Sequence, residues 1–271
     1  MSPPRRRIAE AFARARAEKR KALVLYLTAG DPDAETSRRL LIAAARAGAD
    51  LLEVGVPWSD PSADGPAIQA AMLRALARGG GLTQTLAICR SVRAELTDVP
   101  LVLFGYANPV FVRGPAKFAG AAADAGVDGV LCVDWPPDEA AELTAHLERH
   151  GLDFVPLLAP TSTAERIKRI VPAASGFIYY VSLTGITGTK LSDTEGARQK
   201  VEQIRALAGP DLPVAVGFGI STPDDARKVA AFADGVVVGT AAVKLIEAAR
   251  AAGRDPVPDL EAFVRDLRAA L

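Results

Sequence analysis

Three features of this 271-residue sequence predict an α/β fold, a single (β/α)8 TIM barrel spanning residues 1–271. Eight short apolar runs alternate with Ala-rich helical stretches, and continuous rather than alternating runs suit parallel strands covered on both faces. One joint recurs, as Ala47-Gly48-Ala49-Asp50, Ala125-Gly126-Val127-Asp128 and Ala233-Asp234-Gly235, in which a helix ends and an Asp opens the next strand. The length is also close to the ~250 residues typical of one such barrel. A doubly wound sheet would share the alternation and the joint, but eight strand candidates in succession favour closure.

The elements follow in order. Ile8, Ala11, Phe12 and Ala15 share one helical face, so an extra N-terminal helix is expected to pack on the body. The strand candidates are Leu23–Thr28, Asp50–Val54, Leu101–Phe104, Gly129–Val133, Phe154–Leu158, Phe177–Val181, Val214–Val216 and Gly235–Val238. Helices are expected at Glu35–Ala47, Ala67–Arg78, Gln84–Glu95, Pro115–Ala125, Pro137–His150, Ala164–Val171, Glu195–Ala208, Pro223–Ala231 and Ala241–Ala249, and from Asp259 onward. Strands 2 and 8 are thus each followed by an additional helix.

Lys+Arg and Asp+Glu both number 32, so no net field points to nucleic acid or to an anionic membrane. No apolar run reaches the ~18 residues that a transmembrane helix needs. Arg5-Arg6-Arg7 is followed by no hydrophobic segment, and Glu10 and Glu18 argue against a transit peptide. Cys89 and Cys132 sit in apolar surroundings on different elements, which suits reduced core thiols in a cytoplasmic protein, with a disulfide left open.

In a barrel of this kind chemistry belongs at the C-terminal ends of the strands. Strand 2 ends at Glu53 and runs into a Pro/Gly-rich loop that carries Asp60 and Asp64. A carboxylate where an apolar strand stops is costly to desolvate unless it is paired or used, and burial would raise its pKa toward that of a working acid or base. The plainer alternative is a surface loop whose Asp residues make turns and cap the next helix. Gly217-Phe218-Gly219 and Gly239-Thr240 follow strands 7 and 8, where backbone N–H groups and a helix N-terminus commonly hold phosphate; they could also be tight turns only. Gly188, in the strand 6 loop, could add a contact. Tyr26, Phe104, Tyr106 and Tyr179 cluster near strand ends, suiting either ordinary packing or a flat apolar ligand. Other schemes fit less well. Lys190 lies well inside a Gly/Thr loop rather than at a strand end, His146 and His150 lack further metal ligands, and no Ser or Cys is framed as a nucleophile. The combination suits proton transfer on an aromatic phosphate ester, without a metal or a cofactor in this chain.

The stretch Glu53-Val-Gly-Val-Pro-Trp-Ser-Asp-Pro-Ser-Ala-Asp-Gly-Pro-Ala-Ile-Gln69 resembles the signature of tryptophan synthase alpha subunits, E-[LI]-G-[VI]-P-[FY]-S-D-P-x-A-D-G-P-x-I-Q. Thr28-Ala29-Gly30-Asp31-Pro32, Tyr106-Ala107-Asn108-Pro109, Thr184-Gly185-Ile186-Thr187-Gly188 and Gly217-Phe218-Gly219-Ile220 follow in the family's order, so the resemblance covers essentially the whole chain. It implies retro-aldol cleavage of indole-3-glycerol phosphate to indole and glyceraldehyde 3-phosphate. It implies Glu53 as catalytic acid/base, Asp64 as the carboxylate on the indole N–H, and Tyr179 beside Glu53. Tyr26, Phe104, Tyr106 and Val133 would frame the indole, and Thr187 would bond Asp64 on loop closure. Gly188, Gly217, Phe218, Gly219, Gly239 and Thr240 would hold the phosphate. The resemblance also implies an α2β2 complex with a beta subunit that carries pyridoxal phosphate, met through Asp60, Asn108 and Pro109. A stand-alone lyase with the same chemistry is the alternative. Trp58, Ser62, Trp135 and Thr240 depart from the family's usual residues without removing a catalytic group.

Overall fold

The computed structural model describes residues 6–135, 139–181, 194–217 and 219–271. Helix α1 (Arg7–Ala17) is followed by β1 (Ala22–Thr28), α2 (Ala34–Ala47), β2 (Leu51–Gly55), α3 (Pro66–Leu76), α4 (Leu82–Glu95) and β3 (Leu101–Gly105). Then come α5 (Ala107–Arg113), α6 (Pro115–Asp124), β4 (Gly129–Cys132), α7 (Ala140–Arg149), β5 (Asp153–Phe154), β6 (Leu157–Leu158), α8 (Ala164–Ile170) and β7 (Ile178–Val181). The chain finishes with α9 (Thr194–Ala208), β8 (Val214–Gly217), α10 (Pro223–Ala230), β9 (Gly235–Val238), α11 (Thr240–Ala251) and α12 (Pro256–Ala269).

All strands pair in parallel, in the order β5-β4-β3-β2-β1-β9-β8-β7-β6. The two ends of that order are consecutive in the chain, so the sheet closes on itself. The expected fifth strand, Phe154–Leu158, is therefore present but broken in two. Val155 N–H donates to Val130 O at 2.9 Å on one side, and Pro156 O accepts from Tyr179 N–H at 3.0 Å on the other. Pro156 has no N–H to give the ladder, which accounts for the interruption.

Two further differences from the sequence expectation have local causes. Strand 3 is followed by a short extra helix, α5, where a loop was expected. Pro109 lies in its first turn, where no intrahelical N–H bond is required, and the Ala107 N–H is taken by Asp134 at 2.7 Å. The last helix begins at Pro256, three residues before Asp259, because Asp255 caps it by accepting from Val257 N–H.

Inward-facing side chains of the barrel, among them Val24, Leu51, Val102, Leu131, Val155, Phe177, Ala215 and Val237, form an inner core. Ile8, Phe12 and Ala15 of α1 close its lower end, as the helical face predicted. Burying Ile8 and Phe12 contributes about 1.5–3 kcal/mol each. A larger core lies between the sheet and the helices and holds both cysteines, which are free.

The recurring Asp has a definite structural task at this lower face. Asp50 accepts from Leu23 N–H at 2.9 Å, Asp128 from Leu101 N–H at 2.8 Å and Asp234 from Val214 N–H at 3.0 Å. Each carboxylate thereby pins the start of the adjacent strand, and each also pairs with arginine. Asp128 is the most heavily engaged, binding Arg93 at 2.6 Å and Arg7 at 2.8 Å. Asp128→Ala would remove the carboxylate that pairs with Arg93 and Arg7 and leave the Leu101 N–H without its side-chain acceptor, and a loss of about 3–5 kcal/mol is expected in urea unfolding. Asp128→Asn, which keeps one acceptor, should lose less.

Candidate active site

Parallel register sets Glu53 beside Tyr26 on one side and Val102 on the other, all facing the barrel axis. Glu53 is fully buried, 0% exposed, and neither carboxylate oxygen has a hydrogen-bond partner among the described residues. Burial alone pushes its pKa up to about 8. Three aromatic rings surround the mouth above it. Tyr26 meets Phe104 edge-on with centroids 5.2 Å apart, and Phe104 meets Tyr179 at 6.4 Å. Both phenols are raised well above their usual range, first by burial; the Glu53 and Asp64 carboxylates add to the shift in each.

Two glycines make room for those phenols. A methyl group at Gly55 would overlap the Tyr26 hydroxyl, and one at Gly217 would overlap the Tyr179 hydroxyl. Gly217, singled out in the sequence as an anion contact, thus also has a packing reason to be glycine. The Tyr26 hydroxyl shares a 3.3 Å hydrogen bond with Thr28 Oγ1.

Asp64 occupies a different environment. It lies in the loop after β2, partly exposed, and accepts from the Tyr106 hydroxyl at 2.6 Å. Burial raises its pKa and the Tyr106 bond works against that rise. The same hydroxyl accepts from Ala63 N–H at 3.1 Å, and Gln69 Nε2 donates to Asp64 O at 2.8 Å. The loop is therefore held from β3 and from α3. Sequence reasoning placed Tyr106 as a wall of the indole pocket and missed its hydroxyl as the partner of Asp64. The signal available was the phenol itself, since a tyrosine at a strand end usually finds a polar partner.

Val133 lies just past β4 and is half-buried, packed against the inner core. Gly239 precedes α11, whose first residue is Thr240; no side chain caps this helix and its first turn holds no acid. The α10 N-terminus differs, because Thr222 and Asp225 form a reciprocal capping box that takes up its amides. Gly219 lies exposed between β8 and α10. Thr187, Gly188 and Phe218 lie outside the described residues.

Asp60 and Asn108 are exposed and Pro109 is half-exposed. Beside them on α5, Phe111 stacks on Trp135 at 4.4 Å and Val112 is 82% exposed. Among the described residues, no group of three or more His, Cys, Asp or Glu could hold a metal ion, and no helix is long and apolar enough to cross a membrane.

A sequence model of the tryptophan synthase alpha chain family matches residues 12–271. The chain belongs to the tryptophan synthase alpha chain family. It is 50% identical over 267 residues to the tryptophan synthase alpha chain of Geobacter sulfurreducens, covering 98% of both chains. It is 49% identical over 265 residues to that of Geotalea uraniireducens, covering 98% of this chain and 97% of the relative. Among solved structures it is similar to tryptophan synthase subunit alpha from Legionella pneumophila, with a TM-score of 0.91, 40% identity and 98% of each chain covered. A Mycobacterium tuberculosis tryptophan synthase structure matches with a TM-score of 0.88, 37% identity and 97% of each chain covered. The fold is accordingly the TIM barrel of this family. The reaction is the carbon–carbon lyase step that cleaves indole-3-glycerol phosphate to indole and glyceraldehyde 3-phosphate in tryptophan biosynthesis.

The buried carboxylate has a thermodynamic consequence independent of activity. Because the folded-state pKa of Glu53 is raised to about 8, the folded chain holds a proton that the unfolded chain has released. Its contribution to stability is complete below the ordinary glutamate range and is lost as pH rises toward 8. Glu53→Gln should remove that loss, so the variant is expected to match wild type near pH 5 and exceed it by roughly a few kcal/mol near pH 8 in urea unfolding. Parallel pH dependence in the two proteins would contradict the shift.

Proposed function

We propose that Glu53 is the proton shuttle of the lyase reaction and that Asp64 reads the indole ring. The observation that carries this reading is the fully buried Glu53 carboxyl, facing the barrel mouth with no partner among the described residues. A carboxyl with a pKa near 8 is largely neutral at neutral pH, so it can begin as the acid. It gives its proton to indole C3 and leaves an iminium on the ring nitrogen. The ionised Asp64 stabilises that positive charge and accepts the N–H. The Glu53 carboxylate then takes the proton of the glycerol hydroxyl on the carbon bound to C3. The C–C bond breaks, its electrons restore the indole, and the aldehyde leaves with the phosphate. Glu53 ends protonated, ready for another turn. Two carboxyls in unlike environments suit these unlike roles.

Tyr179 borders Glu53, and Tyr26, Phe104, Tyr106 and Val133 frame the ring. Phosphate would sit on Gly239-Thr240 at the uncapped start of α11, with Gly217 and Gly219 adjacent; Thr187, Gly188 and Phe218 complete the assignment from the resemblance. Residues 1–271 are taken as one barrel domain in a cytoplasmic enzyme. Glu53→Gln is expected to reduce indole release by about 10²–10⁴-fold while phosphate-analogue binding persists. Retention of more than about a tenth of wild-type turnover would be outside the range for a general acid–base group.

The partner reading is an α2β2 complex with a beta subunit that holds pyridoxal phosphate and consumes the indole. The rim formed by Asp60, Asn108 and Pro109 with the exposed Phe111 and Val112 supports it, since exposed apolar side chains on a polar rim suit protein contact. Adding a purified beta subunit should strongly raise turnover, and Val112→Asp should blunt that activation while leaving the basal rate unchanged. Full activity without beta, unaltered by its addition, would favour the stand-alone lyase.

A further inference from the structure

Strand β1 with the loop after it, helix α3 and helix α11 converge twice. Inside the mouth, Tyr26, Ala71 and Val243 pack together, one from each element. Farther out on the same faces, Arg74 lies three residues beyond Ala71 and Glu247 four beyond Val243, and both reach Asp31 or each other. Arg74 Nε and Nη2 donate to the two oxygens of Asp31, each at 2.8 Å, and Asp31 is only 4% exposed. The third nitrogen, Arg74 Nη1, lies 2.5 Å from Glu247 Oε2. That oxygen is buried and makes no full hydrogen bond among the described residues, so the contact is essentially ionic. Glu247 is steadied from the opposite side by Arg250 at 2.8 Å.

The placement matters because of what each element carries. Helix α3 starts two residues after Asp64, α11 opens directly after Gly239, and β1 supplies Tyr26 and Thr28. The guanidinium thus joins the element at the ring end of the proposed site to the element at its phosphate end. A planar fork with fixed donor directions can set such a spacing, whereas an ammonium on a flexible stem cannot. We propose that Arg74 is a positioning residue that fixes the separation of the Asp64 and Gly239 ends of the site, so that one substrate spans both. The proposal rests on the site reading given above.

A spacing element has a signature that a merely stabilising one lacks. Fragments that occupy one end should bind normally when the spacing is wrong, while the linked substrate reacts poorly. In Arg74→Met, checked for folding by circular dichroism and thermal melting, indole and glycerol 3-phosphate are each expected to bind within about threefold of wild type. The kcat/KM for indole-3-glycerol phosphate should fall roughly ten- to a hundredfold, mostly in kcat. Arg74→Lys should recover only part of the loss. Glu247→Gln breaks one arm alone, and combined with Arg74→Met it should cost nothing further. A folded Arg74→Met with kcat/KM within about threefold of wild type overturns the clamp, as do additive losses in the double variant or a joint collapse of both fragment affinities. A wild-type chain that releases no indole overturns the site reading instead, and the clamp with it.

Discussion

A carboxyl group held in the interior of a barrel, without a partner among the described residues, constrains everything near the mouth. Glu53 is placed by the ladder between β1 and β3, not by a flexible loop, so it cannot relax toward water. Desolvating it is unfavourable, and the surrounding structure must supply the stability that offsets this. That stability is concentrated at the opposite face. There Asp50, Asp128 and Asp234 bind an N–H at the start of neighbouring strands and α1 plugs the lower end. Carboxyl groups thus serve opposite ends: paired and anchoring below, and in Glu53 without a partner among the described residues above.

The contrast between Glu53 and Asp64 is a contrast of scaffold as well as of solvent. Glu53 sits on a strand, among aromatic edges that keep water away. Asp64 sits on a loop and borrows its order from Tyr106 on the adjacent strand-end and from Gln69 at the start of α3. A hydrogen bond to the ionised form resists the rise in pKa that burial causes, so Asp64 is pulled back toward the carboxylate while Glu53 is not. One loop therefore separates two acidities over eleven residues of sequence.

What was legible in the sequence follows from which interactions are local. Apolar runs announce parallel strands because both of their faces are covered, and the Gly/Asp joints recur because the same turn is made repeatedly. The break at Pro156 could be read only by asking where its missing N–H would have gone. Helix α5 escaped because Asn108-Pro109 has the chemistry of a loop, and its start depends on Asp134, distant in sequence. The hydroxyl bond of Tyr106 escaped because its partner, Asp64, lies 42 positions earlier. Arg74 gave no signal at all. A single arginine on an amphipathic helix reads as a solvated charge until Asp31 and Glu247 are brought to it.

The two glycine-bearing loops show how structure divides what a pattern treats as equal. Both follow late strands and both precede helices, so sequence alone ranks them together as anion sites. At α10 the Asp225 N–H is already taken by the Thr222 hydroxyl and the Thr222 N–H by the Asp225 carboxylate, which puts an acidic side chain at the helix start. At α11 no side chain takes the first-turn amides and no acid opposes an incoming charge. Of these two helix starts, the uncapped one without a first-turn acid is that of α11, while Gly217 at the end of β8 leaves the space that the Tyr179 phenol requires. The helix whose start is left uncapped is also the one tied through Glu247 to Arg74 of α3, which begins two residues after Asp64. An open helix N-terminus and the tie to α3 thus meet in a single helix.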